Sequence, residues 1–222
     1  MKNTHLEVST ARADLVAAII AHVPFEGWSE PAFQAAVADL EMDPGLARVI
    51  CPRGAIDLAV AYHRAGDASM RAALEEADLA ALKFREKVAA AVRFRLEAAD
   101  PELVRRGSSV FALPGNAPTG AGLIWGTADA IWTALGDTSQ DFNWYSKRLT
   151  LSGVYSATVL YWLGDTSEGH EETWEFLDRR IENVMQFEKV KGKLTANPLV
   201  KRILDGVRAP QPEPMPGREG GQ

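Results

Sequence analysis

Few side chains in this sequence have the types and spacing that catalysis or metal binding requires. His170 stands beside Glu171 and Glu172 at the start of a helical stretch. Acids there favour the positive end of the helix dipole, and capping accounts for the trio better than a metal site does. His63 stands alone near the expected end of a helix, and Cys51, beside Pro52 and without a base to activate it, suits a small buried residue. The sequence contains no HExxH, no paired ExxH segments, no nucleotide-binding glycine loop and no nucleophile elbow. A single cysteine excludes an internal disulfide and a cysteine-built zinc site, and fits a reducing, cytosolic setting. No catalytic residue, metal or cofactor is therefore expected, and what chemistry remains is that of binding.

Three groups of residues could bind something. Leu123, Ile124, Trp125, Ile131, Trp132, Leu135, Val154, Tyr155, Val159 and Trp162 recur at helical spacing and either fill a solid core or line an apolar cavity. DFNWYSKR, residues 141–148, sets Trp144 and Tyr145 between Asp141 and the basic pair Lys147 and Arg148. Trp144, Tyr145, Arg148 and Ser152 fall within about 100° of one helical face, and aromatic and arginine anchors dominate interface energies. Between Pro198 and Val207, Leu199, Val200, Ile203, Leu204 and Val207 share an arc of about 140°, opposite Lys201, Arg202 and, just beyond, Arg208. From Lys189 to Arg208 six bases face one acid, Asp205, giving +5 in a chain of net charge −6. Such a helix fits the surface of an anionic bilayer or folds back over an apolar groove.

The elements that must position these groups are helical, since strand-type alternation is missing. Thr10 is placed to cap a first helix with Leu15, Ala18 and Ile19 on one face. Helices are expected over 30–38, 44–50, 54–66, 72–99, 102–111, 117–135, 142–163 and 168–186, and a linker over 190–198. GDTSQD and GDTSEG, at 136–141 and 164–169, are near-identical connections that supply glycine stops and Asp or Ser caps. The Pro- and Gly-rich residues 209–222 are too poor in apolar residues to fold. An apolar surround such as ATVLYWL, 157–163, fits burial against a second copy, a homodimer through the last two long helices. No stretch is long and apolar enough to span a membrane.

Residues 15–63 resemble the DNA-binding end of TetR-type regulators: a helix, a Gly-aromatic-Ser turn at Gly27–Ser29, two short helices, then the start of a long one. The charges do not suit DNA. Between Pro24 and Arg53 five acids (Glu26, Glu30, Asp39, Glu41, Asp43) outnumber Arg48 and Arg53, a balance of −3, where a groove-reading helix needs cations. The expectation is an all-α, TetR-like fold without nucleic acid as partner. It divides into a helix-turn-helix-like subdomain (1–66), a helical lipid-binding and dimerisation domain (67–190), a tethered amphipathic helix (191–208) and a disordered tail (209–222). A regulator with an apolar effector is the competing class.

DFNWY, the basic pair, Tyr155, the acidic connection and TWEFLDRRI at 173–181 together resemble the hallmark of the coenzyme Q biosynthesis protein nine family, over roughly residues 10–208. The resemblance implies a TetR-like dimer that holds isoprenoid or quinone lipid in its cavity and presents it to a ring-modifying hydroxylase. The ten apolar residues above are the candidates to line the cavity of a TetR-like fold and so to hold the lipid, while Trp144 and Tyr145 match the family's partner-binding patch, joined on that face by Arg148 and Ser152 and preceded by Asp141. Leu199, Val200, Lys201, Arg202, Ile203, Leu204, Val207 and Arg208 would meet the membrane. Without a mitochondrial targeting segment, the expected setting is a bacterial cytoplasm, peripheral on the inner membrane.

Overall fold

Proline and short polar side chains set where these helices begin. The computed structural model describes the backbone of residues 2–140 and 142–195 and the side chains of 8–140 and 142–184. Its helices are α1 (Lys2–Ile19), α2 (Val23–Glu26), α3 (Glu30–Asp39), α4 (Pro44–Ile50), α5 (Ala55–Glu76), α6 (Phe84–Glu97), α7 (Pro101–Phe111), α8 (Ala117–Ala134), α9 (Phe142–Trp162) and α10 (Glu171–Thr195). A 3₁₀ turn over Glu168–His170 leads into α10, and every regular element among the described residues is helical. Ser29 caps α3, Asp43 caps α4 and Asp100 caps α7; in each the side-chain oxygen accepts backbone N–H groups and proline occupies the first turn.

Two apolar cores form. The first gathers Leu15 and Ile19 of α1, Phe33 and Ala36 of α3, Ala47 and Ile50 of α4, and Ala55, Leu58 and Ala59 of α5. The second gathers Met70 and Leu74 of α5, Val88 and Val92 of α6, Ile131 of α8, Leu151 and Val154 of α9, and Leu177 and Ile181 of α10. One uninterrupted helix, α5, thus contributes to both. A further tie crosses from α7, where Leu103 joins the first core and its carbonyl accepts the Trp28 indole N–H at 3.1 Å.

Several expected boundaries move. Thr10 lies well inside α1 rather than capping it. The two stretches read as 54–66 and 72–99 are recut: α5 runs on to Glu76, and residues 77–83 separate it from α6. The break sits where Glu86 accepts the N–H of Lys83 at 2.9 Å, starting a new helix inside a run of good helix formers. The short α2 was not anticipated. Residues 190–195, expected as linker, continue α10. The segments 198–207 and 209–222 lie outside the described residues.

Gly66 in the middle of α5 has a packing reason. A Cβ there would stand 2.5 Å from Nη1 of Arg95, so the guanidinium lies directly on the helix backbone.

Candidate functional site

The two candidate sites are an apolar cavity and an aromatic face, both built on α8 and α9. The cavity, of about 390 Å³, is enclosed by α5, α6, α7, α8 and α9, with Trp28 reaching in from the turn before α3. Ala59, Leu103, Val104, Phe111, Leu123, Ile124 and Val159 make its apolar walls. Ser108, Ala112, Ala121 and Leu160 line it while exposed to solvent, Leu160 at 69%, and so mark its mouth.

Its inner end is polar. Arg95 donates from Nε to Asp67 at 2.7 Å and from Nη2 to the His63 carbonyl at 2.9 Å. Thr127 donates to the same Asp67 oxygen at 2.9 Å, and its Oγ1 lies 2.8 Å from Nε2 of His63. Burial, reinforced by the nearby Arg95 charge, lowers the His63 pKa to about 4, so the ring is neutral near pH 7. Burial also raises the pKa of Tyr155, which faces Thr127, and keeps the phenol protonated.

The structure distributes the ten residues expected at an apolar cavity over several places. Leu123, Ile124, Tyr155 and Val159 line it. Trp132, Leu135 and Val154 instead line a second hollow of about 510 Å³, between α6, α9, α10 and the α8–α9 connection. Ile131 and Trp162 are packed in the solid second core. Trp125 belongs to neither hollow and joins the aromatic face. Periodicity marks a residue as apolar and facing inward, but α8 is in contact with neighbours on several sides, so it does not say which neighbour is faced.

On that aromatic face Trp125 of α8 meets Trp144 of α9 with ring centroids 5.9 Å apart, and Tyr145 meets Trp144 edge-on at 4.8 Å. All three rings are half-buried, so each presents surface to solvent. Arg148 corrects the expectation of an exposed anchor, because it is only 2% exposed. Its guanidinium lies 4.0 Å from the Trp144 ring centre and donates to Asp129 at 2.6 Å and to Asp137 at 3.1 Å. The buried cation therefore supports Trp144 from beneath. Lys147 also turns inward, bonding Asp137 and Ser139, each at 2.7 Å. Burial opposes ionisation of Asp137, but Lys147, Ser139 and Arg148 outweigh it and hold the carboxyl at about 2. Ser152 is half-buried and its hydroxyl has no hydrogen-bond partner among the described residues, while Asp141 lies outside them.

The face and the cavity mouth are neighbours. Ala121 at the mouth and Trp125 on the face are one helical turn apart on α8, roughly 6 Å along its axis.

The other chemical candidates resolve into structure. His63 is in mid-α5 and bonded to Thr127, not isolated near a helix end. His170 follows the connection in which Asp165 accepts the backbone N–H groups of Ser167 at 2.8 Å and Thr173 at 3.0 Å, so Asp165 does the capping. No trio of His, Cys, Asp or Glu among the described residues is placed to hold a metal ion. Cys51 is buried.

The aromatic face and the α8 and α9 walls of the cavity fall in residues 117–188, which match a protein-family model described as COQ9. Through these residues the chain belongs to the COQ9 family. It is 32% identical over 180 residues to the ubiquinone biosynthesis protein COQ9, mitochondrial, of Rattus norvegicus, covering 77% of this chain and 57% of the relative. Against the protein of the same name from Drosophila melanogaster it is 30% identical over 190 residues, covering 82% and 57%. The chain thus spans a little over half the length of these COQ9 relatives. In fold it matches a crystal structure of a TetR transcriptional regulator from Nitrosomonas europaea with a TM-score of 0.64 and 18% identity, covering 78% of this chain and 97% of that one. The architecture is therefore the all-α, TetR-like one expected.

Trp28, Tyr62, His63, Arg95, Leu103 and Phe111 line the cavity and were not anticipated. They lie outside the COQ9 window of 117–188. One signal was legible: Arg95 interrupts the apolar face formed by Val88, Ala91 and Val92, and a charge on a buried face needs a partner.

Proposed function

We propose that this chain is a non-catalytic carrier in ubiquinone biosynthesis. It holds an isoprenoid or quinone intermediate in the α5–α9 cavity and presents it to a ring-modifying hydroxylase seated on Trp125, Trp144 and Tyr145. The observation that carries this reading is an apolar cavity of about 390 Å³ whose mouth opens one turn from a solvent-facing aromatic cluster. That volume lies within the roughly 300–1,000 Å³ of small-molecule pockets. It is too small for a long polyprenyl chain, so most of the tail lies outside. Association as a homodimer is supported by Leu149, exposed on α9 away from the cavity lining. The segment bearing Leu199, Ile203 and Val207, outside the described residues, would touch a membrane surface; no described helix is long and apolar enough to cross one.

A role without nucleic acid is supported by α4. The helix in the groove-reading position exposes Leu46 and Val49, and its single cation, Arg48, is tied to Glu30. A surface of that kind releases few counterions from DNA.

The test is mass spectrometry of the organic extract of the gently purified full chain beside a Val159→Trp variant that fills the cavity. An isoprenoid or quinone near one per chain, largely lost in the folded variant, is the expected result. A wild-type protein free of such lipid would overturn the carrier reading.

A further inference from the structure

The second hollow, of about 510 Å³, is apolar at its floor and cationic at its rim. Val88 of α6, Leu151 and Val154 of α9 and Ile181 of α10 form the floor, and all four are buried. Phe84, Arg85 and Thr138 line the hollow while exposed to solvent, and so mark its opening. Ring contacts order that opening: Phe84 stacks on Trp132 with centroids 5.5 Å apart, and Lys147 Nζ lies 5.2 Å from the centre of the same indole. The two hollows share no lining residue, so this one is separate from the cavity assigned to the carried lipid.

Two cations and one acid line this hollow: Arg85, Lys147 and Asp137. Asp137 is already satisfied. It accepts from Lys147 and from the Ser139 hydroxyl, each at 2.7 Å, and from Arg148 at 3.1 Å. Together with Asp129 it balances Lys147 and Arg148 charge for charge. Arg85 is then in surplus, since its one ion pair among the described residues, to Glu86, is 3.9 Å long. Lys147 directs two donors at Asp137 and Ser139 and keeps a third. A cation without a close counter-ion at the lip of an apolar pocket attracts a negative group and repels a positive one. A neutral chain would gain the floor alone.

We propose that the hollow between α6, α9, α10 and the α8–α9 connection is a second ligand site, and that it takes an apolar chain ending in an anionic head, a carboxylate or a phosphate. The chain lies on Val88, Leu151, Val154 and Ile181, and the head meets Arg85 and the third donor of Lys147 at the rim. Its volume of about 510 Å³ lies in the range of small-molecule pockets. The head stays hydrated on its outer side, which avoids the desolvation cost of a buried charge.

Four probes that share one alkyl chain test this on the full protein by titration calorimetry below their micellar concentrations: laurate, dodecyl phosphate, dodecanol and dodecyltrimethylammonium. At least one anion is expected to bind more tightly than the alcohol and about tenfold or more tighter than the trimethylammonium. The tighter of the two anions identifies the head. Arg85→Glu, at an exposed position, should weaken that anion roughly three- to tenfold at low salt, with a smaller effect at high salt. Val159→Trp, which fills the first cavity, should bind it as the wild type does. Equal or tighter binding of the alcohol or the trimethylammonium, unchanged anion affinity in folded Arg85→Glu, or loss of the anion in folded Val159→Trp overturns the assignment. So does a protein that binds neither anion. Each of these results leaves the carrier reading standing, because that reading is decided by the lipid extracted with the protein.

Discussion

Acidification should destabilise this protein through His63 before the carboxylates begin to protonate. The native ring has a pKa of about 4, from burial first and the Arg95 charge second, against 6.5 for an ordinary histidine. As pH falls through 6.5 the unfolded chain takes up a proton that the native chain refuses, so protonation favours unfolding. The stability lost is full-sized only below the native pKa. At about 1.36 kcal/mol per pKa unit, the loss between about pH 7.5 and pH 5 is roughly 2 kcal/mol, rising to about 3 kcal/mol by pH 4. For a chain of this length that is a fall in Tm of about 4–8 °C at pH 5. His63→Gln retains a group able to bond Thr127, 2.8 Å away in the wild type, and cannot titrate. Thermal melts of both proteins across this range isolate the residue: the wild type should lose stability relative to the variant as pH drops from 7 to 5. Parallel curves would mean that His63 is solvated in the native state, and the polar end of the cavity would then be open to water.

Arg148→Met should cost about 1–3 kcal/mol in urea unfolding, because it removes one of the two cations on Asp137, whose side chain is 3% exposed, while Lys147 stays at 2.7 Å; an unchanged midpoint would place that network in solvent. Gly107→Ala should stabilise α7 by about 0.5–1 kcal/mol, since the new Cβ meets only Trp28 Nε1 at 3.6 Å. Gly120→Ala should destabilise instead, its Cβ falling 2.8 Å from Phe111 Cβ; the opposite order of the two melting temperatures would refute the packing at the cavity wall.

The helices were legible where proline, capping residues and apolar period agreed, as at Pro44–Ile50 and Pro101–Phe111. They were misread where a single propensity covered two elements. Residues 72–99 are nearly all strong helix formers, and only the Lys83–Glu86 bond marks the second start. The site was half legible for a similar reason. Leu123, Tyr155 and Trp162 all read as apolar positions on long helices, yet two line the cavity and one is packed solid. That distinction depends on how α7 leans on α8 and α9, which no local pattern encodes. Arg148 was misplaced because a charge beside aromatics reads as surface, whereas Asp129 and Asp137, from α8 and the connection after it, reach it only in the folded chain.

Docking on the aromatic face can be tested without disturbing the cavity or the fold. Gly122 lies on the exposed side of α8, next to Ala121 at the mouth and three residues before Trp125, and a Cβ there would meet nothing within 4 Å. Replacing a glycine inside a helix by arginine gains roughly 0.5–1 kcal/mol of helix propensity. Gly122→Arg should therefore melt no lower than the wild type and retain its extracted lipid. It would also place a long cation where a docked enzyme has to pass between mouth and aromatic cluster. Trp144→Lys removes the central ring of that cluster directly. Both variants should lose association with the ring hydroxylase, by at least about tenfold in affinity if the aromatic cluster is a hot spot, with the same oligomeric state by light scattering. If Trp144→Lys abolishes the complex and Gly122→Arg leaves it intact, the partner sits over α9 alone and the ligand must cross exposed surface to reach it. If neither matters, the aromatic face is not the docking surface, and Trp125, Trp144 and Arg148 serve only to join α8 to α9.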